Sequence, residues 1–160
     1  MTRHEEMQAF VRHYKRETKK TSVTMAEVAA AAIKIGMKAP PPITAEERLA
    51  KQFAAAEREE TEVDKKTNRP YRANLSYTQQ NEQGEQTSFW VSTDDASRIE
   101  AEAWMNKYRE QMIGEAVIGT DTIDHWNRTN PNEELLQFSL DFTDETQWRR
   151  NVPVEEEELV

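Results

Sequence analysis

The sequence predicts an α+β fold: a winged-helix-like three-helix head, then a β-hairpin, a long helix and a small antiparallel sheet. Three observations carry this expectation. Thr-x-x-Glu stands at Thr2–Glu5, Thr24–Glu27 and Thr44–Glu47, a spacing that reads as a capping box at each of three helix entrances. The apolar period then shortens from helical to two near Tyr71. Finally, Leu136, Phe138, Leu140 and Phe142 alternate with polar residues, the clearest strand pattern in the chain.

The first helix should bury Met7, Phe10, Val11 and Tyr14, one stripe at i, i+3, i+4, i+7, and stop near Lys19-Lys20-Thr21-Ser22. Ser22-Val23 fits a short strand before the second helix. That helix is alanine-rich, runs from Met25 to about Ile35, and is followed by Gly36 at the position that favours a left-handed backbone. Ala39-Pro40-Pro41-Pro42 reads as an extended connection. The third helix begins after Thr44 and reaches about Glu60, with Leu49, Phe53 and Ala56 expected inward and a Glu47–Lys51 pair outward.

Tyr71 to Tyr77 reads as one strand and Thr87 to Ser92 as its return, joined by the polar loop Gln79–Gln86 around Gly84. A helix from about Asp95, capped by Thr93 or Asp94, carries Trp104, Tyr108 and Met112, with Ala101 and Met105 beside them. Gly114 and Gly119 should weaken its far end. Asp121–Asn132 then reads as a loop holding a helical turn. After the 136–142 strand, Thr143 or Asp144 opens a short helix with Trp148. The organisation expected is a helical head (1–62), a body packed with it (63–151) and an acidic tail (152–160).

Apolar residues make up 36% and charged residues 32% of the 160, polar enough that part of the chain should stay exposed for a partner. The absence of cysteine excludes disulfides and thiolate chemistry. The opening residues contain no apolar signal core and no run is long enough to span a bilayer, so a cytoplasmic location without membrane association is expected. Charge is unevenly spread. Residues 1–60 hold 11 Lys or Arg against 9 Asp or Glu, the remainder 10 against 21, giving the net of −9.

Catalytic signatures are missing: no glycine-rich phosphate loop, no nucleophile elbow and no His-Glu-x-x-His. The nearest approach to a reactive set is Asp121, Asp124 and His125, where Asp121 and His125 would share a face on a helical turn. The simpler account is that Asp121 helps start a helical turn while His125 and Trp126 pack beneath a loop. A non-catalytic protein needing no cofactor or metal is therefore expected.

Three helices followed by a hairpin is the order of a winged helix, whose third helix and wing meet double-stranded DNA. On that reading Arg48 and Lys51, with Gln52 and Arg58, come from the recognition helix, and Lys65, Lys66, Arg69 and Arg72 flank the wing. Lys15, Arg16, Lys19 and Lys20 add a phosphate-contacting patch, or else neutralise the C-terminal dipole of the first helix. The Asn81–Gln86 tip is acidic where a wing would meet phosphate, which counts against the scheme. The alternative is an adaptor or inhibitor subunit that meets a protein partner through Asp94, Asp95, Glu100, Glu102, Glu110 and Glu115, possibly by mimicking nucleic acid. A homodimer built on the body fits either reading.

Overall fold

A computed structural model describes residues 1–152. Among these are five helices and two separate two-stranded antiparallel sheets, a mixed α+β chain in which a helical region precedes a hairpin and a long helix. The chain divides into two compact units, Met1–Arg48 and Leu49–Val160. The acidic tail lies outside the described residues, apart from Val152.

The first unit pairs α1 (Arg3–Thr18) with α2 (Met25–Lys34). At α1 the capping box closes in full: Glu5 N–H donates to Thr2 Oγ1 at 3.2 Å, and Thr2 N–H to the Glu5 carboxylate at 2.6 Å. At α2 only half of it forms, because the Glu27 carboxylate instead meets Lys20 Nζ at 3.3 Å. The α2 end is a Schellman motif. Gly36, at φ +94°, lets its own N–H reach Ile33 O at 3.0 Å while Met37 N–H reaches Ala32 O at 3.0 Å. Val28 and Ala32 are the buried residues of this unit. The predicted α1 stripe is only partly covered, with Phe10, Val11 and Tyr14 half-buried and Met7 exposed. Ser22-Val23 forms no strand, since among the described residues no strand pairs with it.

Helix α3 (Ala45–Glu59) starts on a complete Thr44–Glu47 box. Its sheltered side is Ala54, Ala55 and Glu57, whereas Leu49, Phe53 and Ala56, expected inward, are exposed. The reason is where the helix is fastened: the Asn74 amide donates to Glu57 O at 3.4 Å and to the Glu60 carboxylate at 2.7 Å, turning the small-residue side inward.

The single strand expected at 71–77 is broken at Ala73. Before the break, β1 (Thr61–Val63) pairs with β2 (Pro70–Arg72); after it, β3 (Asn74–Gln80) pairs with β4 (Gln86–Ser92). Ala73 is buried and bonded on both sides, its N–H to Glu60 O at 3.0 Å and its carbonyl accepting from Thr93 N–H at 2.8 Å. Those bonds fix the switch from one hairpin to the next. Leu75, opposite Val91 on β3, is buried too, and Tyr77 stacks on Phe89 with ring centroids 5.8 Å apart. Helix α4 packs on β3.

Helix α4 (Arg98–Thr129) is one uninterrupted helix of 32 residues, which overturns both the expected weakening at Gly114 and Gly119 and the loop at 121–132. Glycine costs a helix only about 1 kcal/mol, and no proline occurs until Pro131. The far end is fastened as well. Asn127 accepts Leu136 N–H at 3.0 Å and donates to Leu136 O at 2.9 Å, and the Phe138 ring lies so close over Gly119 that a Cβ there would fall 2.7 Å from it. The N-cap is Ser97, not Thr93 or Asp94, and makes a full box with Glu100. Ser97→Ala is expected to remove about 1 kcal/mol of stability, measurable by urea unfolding. The Ser97 hydrogen bonds hold the Glu100 carboxyl below its ordinary range. A lowered folded pKa stabilises above the unfolded value, so this support is lost as pH falls through the folded pKa and the Ser97→Ala penalty should shrink in acid.

The strongest strand expectation fails. Residues 134–142 form no strand, because among the described residues no strand lies beside them to complete a ladder. Helix α5 (Thr143–Asn151) follows, with Phe142 at its N-cap and neither Thr143 nor Asp144 capping it.

Candidate nucleic-acid interface

The hairpin directly following α3 is β1–β2, and its tip is Asp64-Lys65-Lys66-Thr67-Asn68-Arg69. The β3–β4 hairpin, with the acidic tip Asn81–Glu85, is therefore the second hairpin after α3 rather than the first, as expected from the sequence. Asp64 builds the turn. Its carboxylate accepts Lys66 N–H at 2.8 Å and Thr67 N–H at 3.1 Å, its carbonyl accepts Asn68 N–H at 2.8 Å, and its N–H donates to Arg69 O at 2.9 Å. Asn68 takes the left-handed backbone at φ +54°, a conformation asparagine tolerates. The one acid of the tip is thereby spent inside the turn, and Lys65 and Lys66 stand exposed.

Arg69 turns toward α5, its guanidinium donating to Asn151 Oδ1 at 3.3 Å. Together the turn and α5 enclose an open cleft of about 1120 Å³ lined by Arg69, Arg149, Arg150, Thr67, Asn68 and Thr146, among others. Among the described residues none of Lys65, Lys66, Arg69, Arg72, Arg149 and Arg150 pairs with a carboxylate. Lys65 and Lys66 line a neighbouring cleft together with Glu62, Asp64 and Asp94. Arg149 and Arg150 were not anticipated from the sequence. Their adjacency is the only local signal, and their approach to a turn some eighty residues earlier has no sequence signature.

The hairpin is held by Tyr71. Its hydroxyl lies 2.9 Å from Glu62 Oε2 on the paired strand and 3.1 Å from Asp94 Oδ2 in the turn after β4. The hydrogen bond to Glu62, then desolvation, then Asp94 raise the hydroxyl well above the ordinary tyrosine value. Tyr77 is raised as well, chiefly by desolvation and then by Glu100. Alkaline titration followed by near-ultraviolet absorbance should show Tyr71 and Tyr77 ionising late, and Tyr71→Phe should remove one of these late steps. A raised folded pKa means that the contribution of Tyr71 to stability is complete below the unfolded value, about 10, and is lost as pH rises through the folded one.

The remaining expected contacts are distributed as follows. Arg48, Lys51, Gln52 and Arg58 are all exposed on α3. Two of the acids nearby are engaged internally, Glu47 by Thr44 N–H and Glu60 by Asn74. Lys15, Arg16, Lys19 and Lys20 gather at the C-terminus of α1, where Lys19 caps it at φ +56° with its N–H on Arg16 and Lys15 carbonyls and Lys20 pairs with Glu27. That placement suits the helix dipole.

The acidic set is partly consumed within the chain: Asp94 on Tyr71, Glu100 in its capping box, and Glu102 on Arg98 at 2.8 Å. Asp121 and His125 do sit four apart on α4, and among the described residues no group of three acidic or histidine side chains is placed to hold a metal. Among the described residues no helix is long and apolar enough to cross a membrane. Comparison with known protein families, curated proteins and solved structures finds no match.

Proposed function

We propose that the chain is a non-catalytic regulatory protein that binds double-stranded DNA through its phosphate backbone, with the β1–β2 hairpin as the wing. One observation carries the reading. The hairpin that follows three helices ends in Lys65 and Lys66, exposed and unpaired among the described residues, with Arg69 behind them. Clustered cations displace counterions condensed on a duplex, and the entropy of that release drives binding without sequence readout. Arg48, Lys51 and Gln52 on α3 are the residues for base edges, since arginine and lysine suit guanine and glutamine suits adenine. Arg149 and Arg150 extend the phosphate-facing surface beyond the wing. This tip carries one acid, Asp64, against three cations, whereas the β3–β4 tip carries two acids and no cation.

Lysine acetylation read by mass spectrometry tests the reading residue by residue. Bound duplex should protect Lys51, Lys65 and Lys66 while leaving Lys107 on α4 as reactive as in the free protein. Equal reactivity at Lys65 and Lys66 with and without DNA would contradict it.

A further inference from the structure

Three arginines from two distant parts of the sequence meet in the C-terminal unit. Arg69 ends the β1–β2 turn, Arg149 and Arg150 stand in the last turn of α5, and all three line the open cleft of about 1120 Å³. The α5 dipole accounts for two cations at a helix C-terminus. It gives no reason for a third to arrive from a turn some eighty residues earlier, nor for the way that third is held. Arg69 is half-buried, and its guanidinium donates to Asn151 Oδ1 at 3.3 Å while the Asn151 amide donates to Gln147 O at 2.8 Å. Arg69 is thus fixed to the helix through Asn151, with most of its N–H donors left open.

The other two are uncommitted as well. Among the described residues neither Arg149 nor Arg150 has an ion-pair partner. Glu145 stands four residues before Arg149, the spacing and order that favour a pair along a helix, yet that pair is not made and Arg149 lines the cleft instead. Among the described residues lining the cleft the one acid is Asp64, whose carboxylate accepts Lys66 and Thr67 N–H within the turn. Three cations against one engaged carboxylate leave the cleft short of negative charge. A guanidinium presents its donors in a fork that matches the oxygens of a phosphate.

The rest of the wall is different in kind. Pro70, Tyr71 and Val152 offer apolar surface, and the Tyr71 ring is fixed because its hydroxyl is held between Glu62 and Asp94. A ligand that satisfies both kinds of lining carries phosphate together with a flat, weakly polar ring. Small-ligand sites enclose roughly 300–1,000 Å³, so the cleft has room for both parts. We propose that it binds a free nucleotide, with the phosphates on Arg69, Arg149 and Arg150 and the base against Pro70 and Tyr71. This goes beyond duplex binding and does not rest on it, since Lys65 and Lys66 line the neighbouring cleft and not this one.

Titration calorimetry of the whole chain with ADP, pyrophosphate and adenosine, in magnesium-free buffer near physiological salt, tests the site. ADP should saturate the chain at one site, more tightly than pyrophosphate and far more tightly than adenosine. Arg149→Gln/Arg150→Gln keeps the helix propensity of α5 and should weaken ADP about tenfold or more, since charge-assisted hydrogen bonds from two arginines are lost. Circular dichroism should match that of the unaltered chain. Failure of ADP to saturate at millimolar concentration would overturn the site, and unchanged affinity in the folded double variant would overturn its location. ADP binding no tighter than pyrophosphate would overturn the base wall and with it the nucleotide. No DNA enters the measurement, so its failure and the failure of duplex binding are read separately.

Discussion

Leu75→Ala is expected to destabilise the C-terminal unit by about 2–4 kcal/mol, the range for removing a fully packed leucine. Leu75 is 5% exposed on β3, under α4, and among the described residues of this unit only Ala73 is comparably buried. A unit with so few enclosed side chains has little redundancy, so losing one of them releases the hairpin from the helix. The Tyr77–Phe89 stack and the Tyr77–Glu100 hydrogen bond at 3.2 Å, which ties the strand to the α4 N-terminus, should loosen with it. Urea unfolding should show a lower midpoint, and near-ultraviolet dichroism should lose its aromatic signal earlier than helix content falls. A cost under about 0.5 kcal/mol, the size of an ordinary surface change, would mean that the hairpin is not held by this contact.

The sequence was informative wherever the cause of structure is local. The boxes at Thr2 and Thr44, the Gly36 left-handed stop and the β3–β4 hairpin follow from side chains a few residues apart. Misreadings arose where a distant partner decides. Gly119 sits inside a helix because Phe138 lies over it, and Ala73 breaks a strand because Glu60 and Thr93 bond to its backbone. Residues 136–142 have strand alternation but no ladder, since alternation reports a buried face and says nothing of who supplies the next strand. The candidate interface was legible in the same measure. Lys65, Lys66 and Arg69 stood out as charge, but the short β1 and β2 strands that turn them into a hairpin tip carry too few residues to declare a period.

Removing the wing cations is expected to have the largest functional effect. Lys65→Ala/Lys66→Ala/Arg69→Ala should weaken duplex binding by about tenfold or more near 0.1 M salt, since each lost cation leaves one phosphate with its counterion. The turn should survive, because Asp64 and Asn68 build it from their own groups and none of the three replaced side chains contributes to it. Lys15→Ala/Arg16→Ala/Lys19→Ala serves as the comparison. If those residues chiefly balance the α1 dipole, their loss should lower the stability of the first unit by some tenths of a kcal/mol and leave the DNA affinity nearly unchanged.

The most direct measurement is fluorescence anisotropy of a labelled duplex across a salt series, with the unaltered protein and the wing variant side by side. Binding to the unaltered protein should fall linearly in log–log form. The wing variant should show a slope shallower by about 2.7, three contacts at roughly 0.9 each. No binding at low salt, or the same slope in a folded variant, would contradict the assignment of the β1–β2 hairpin to the phosphate backbone.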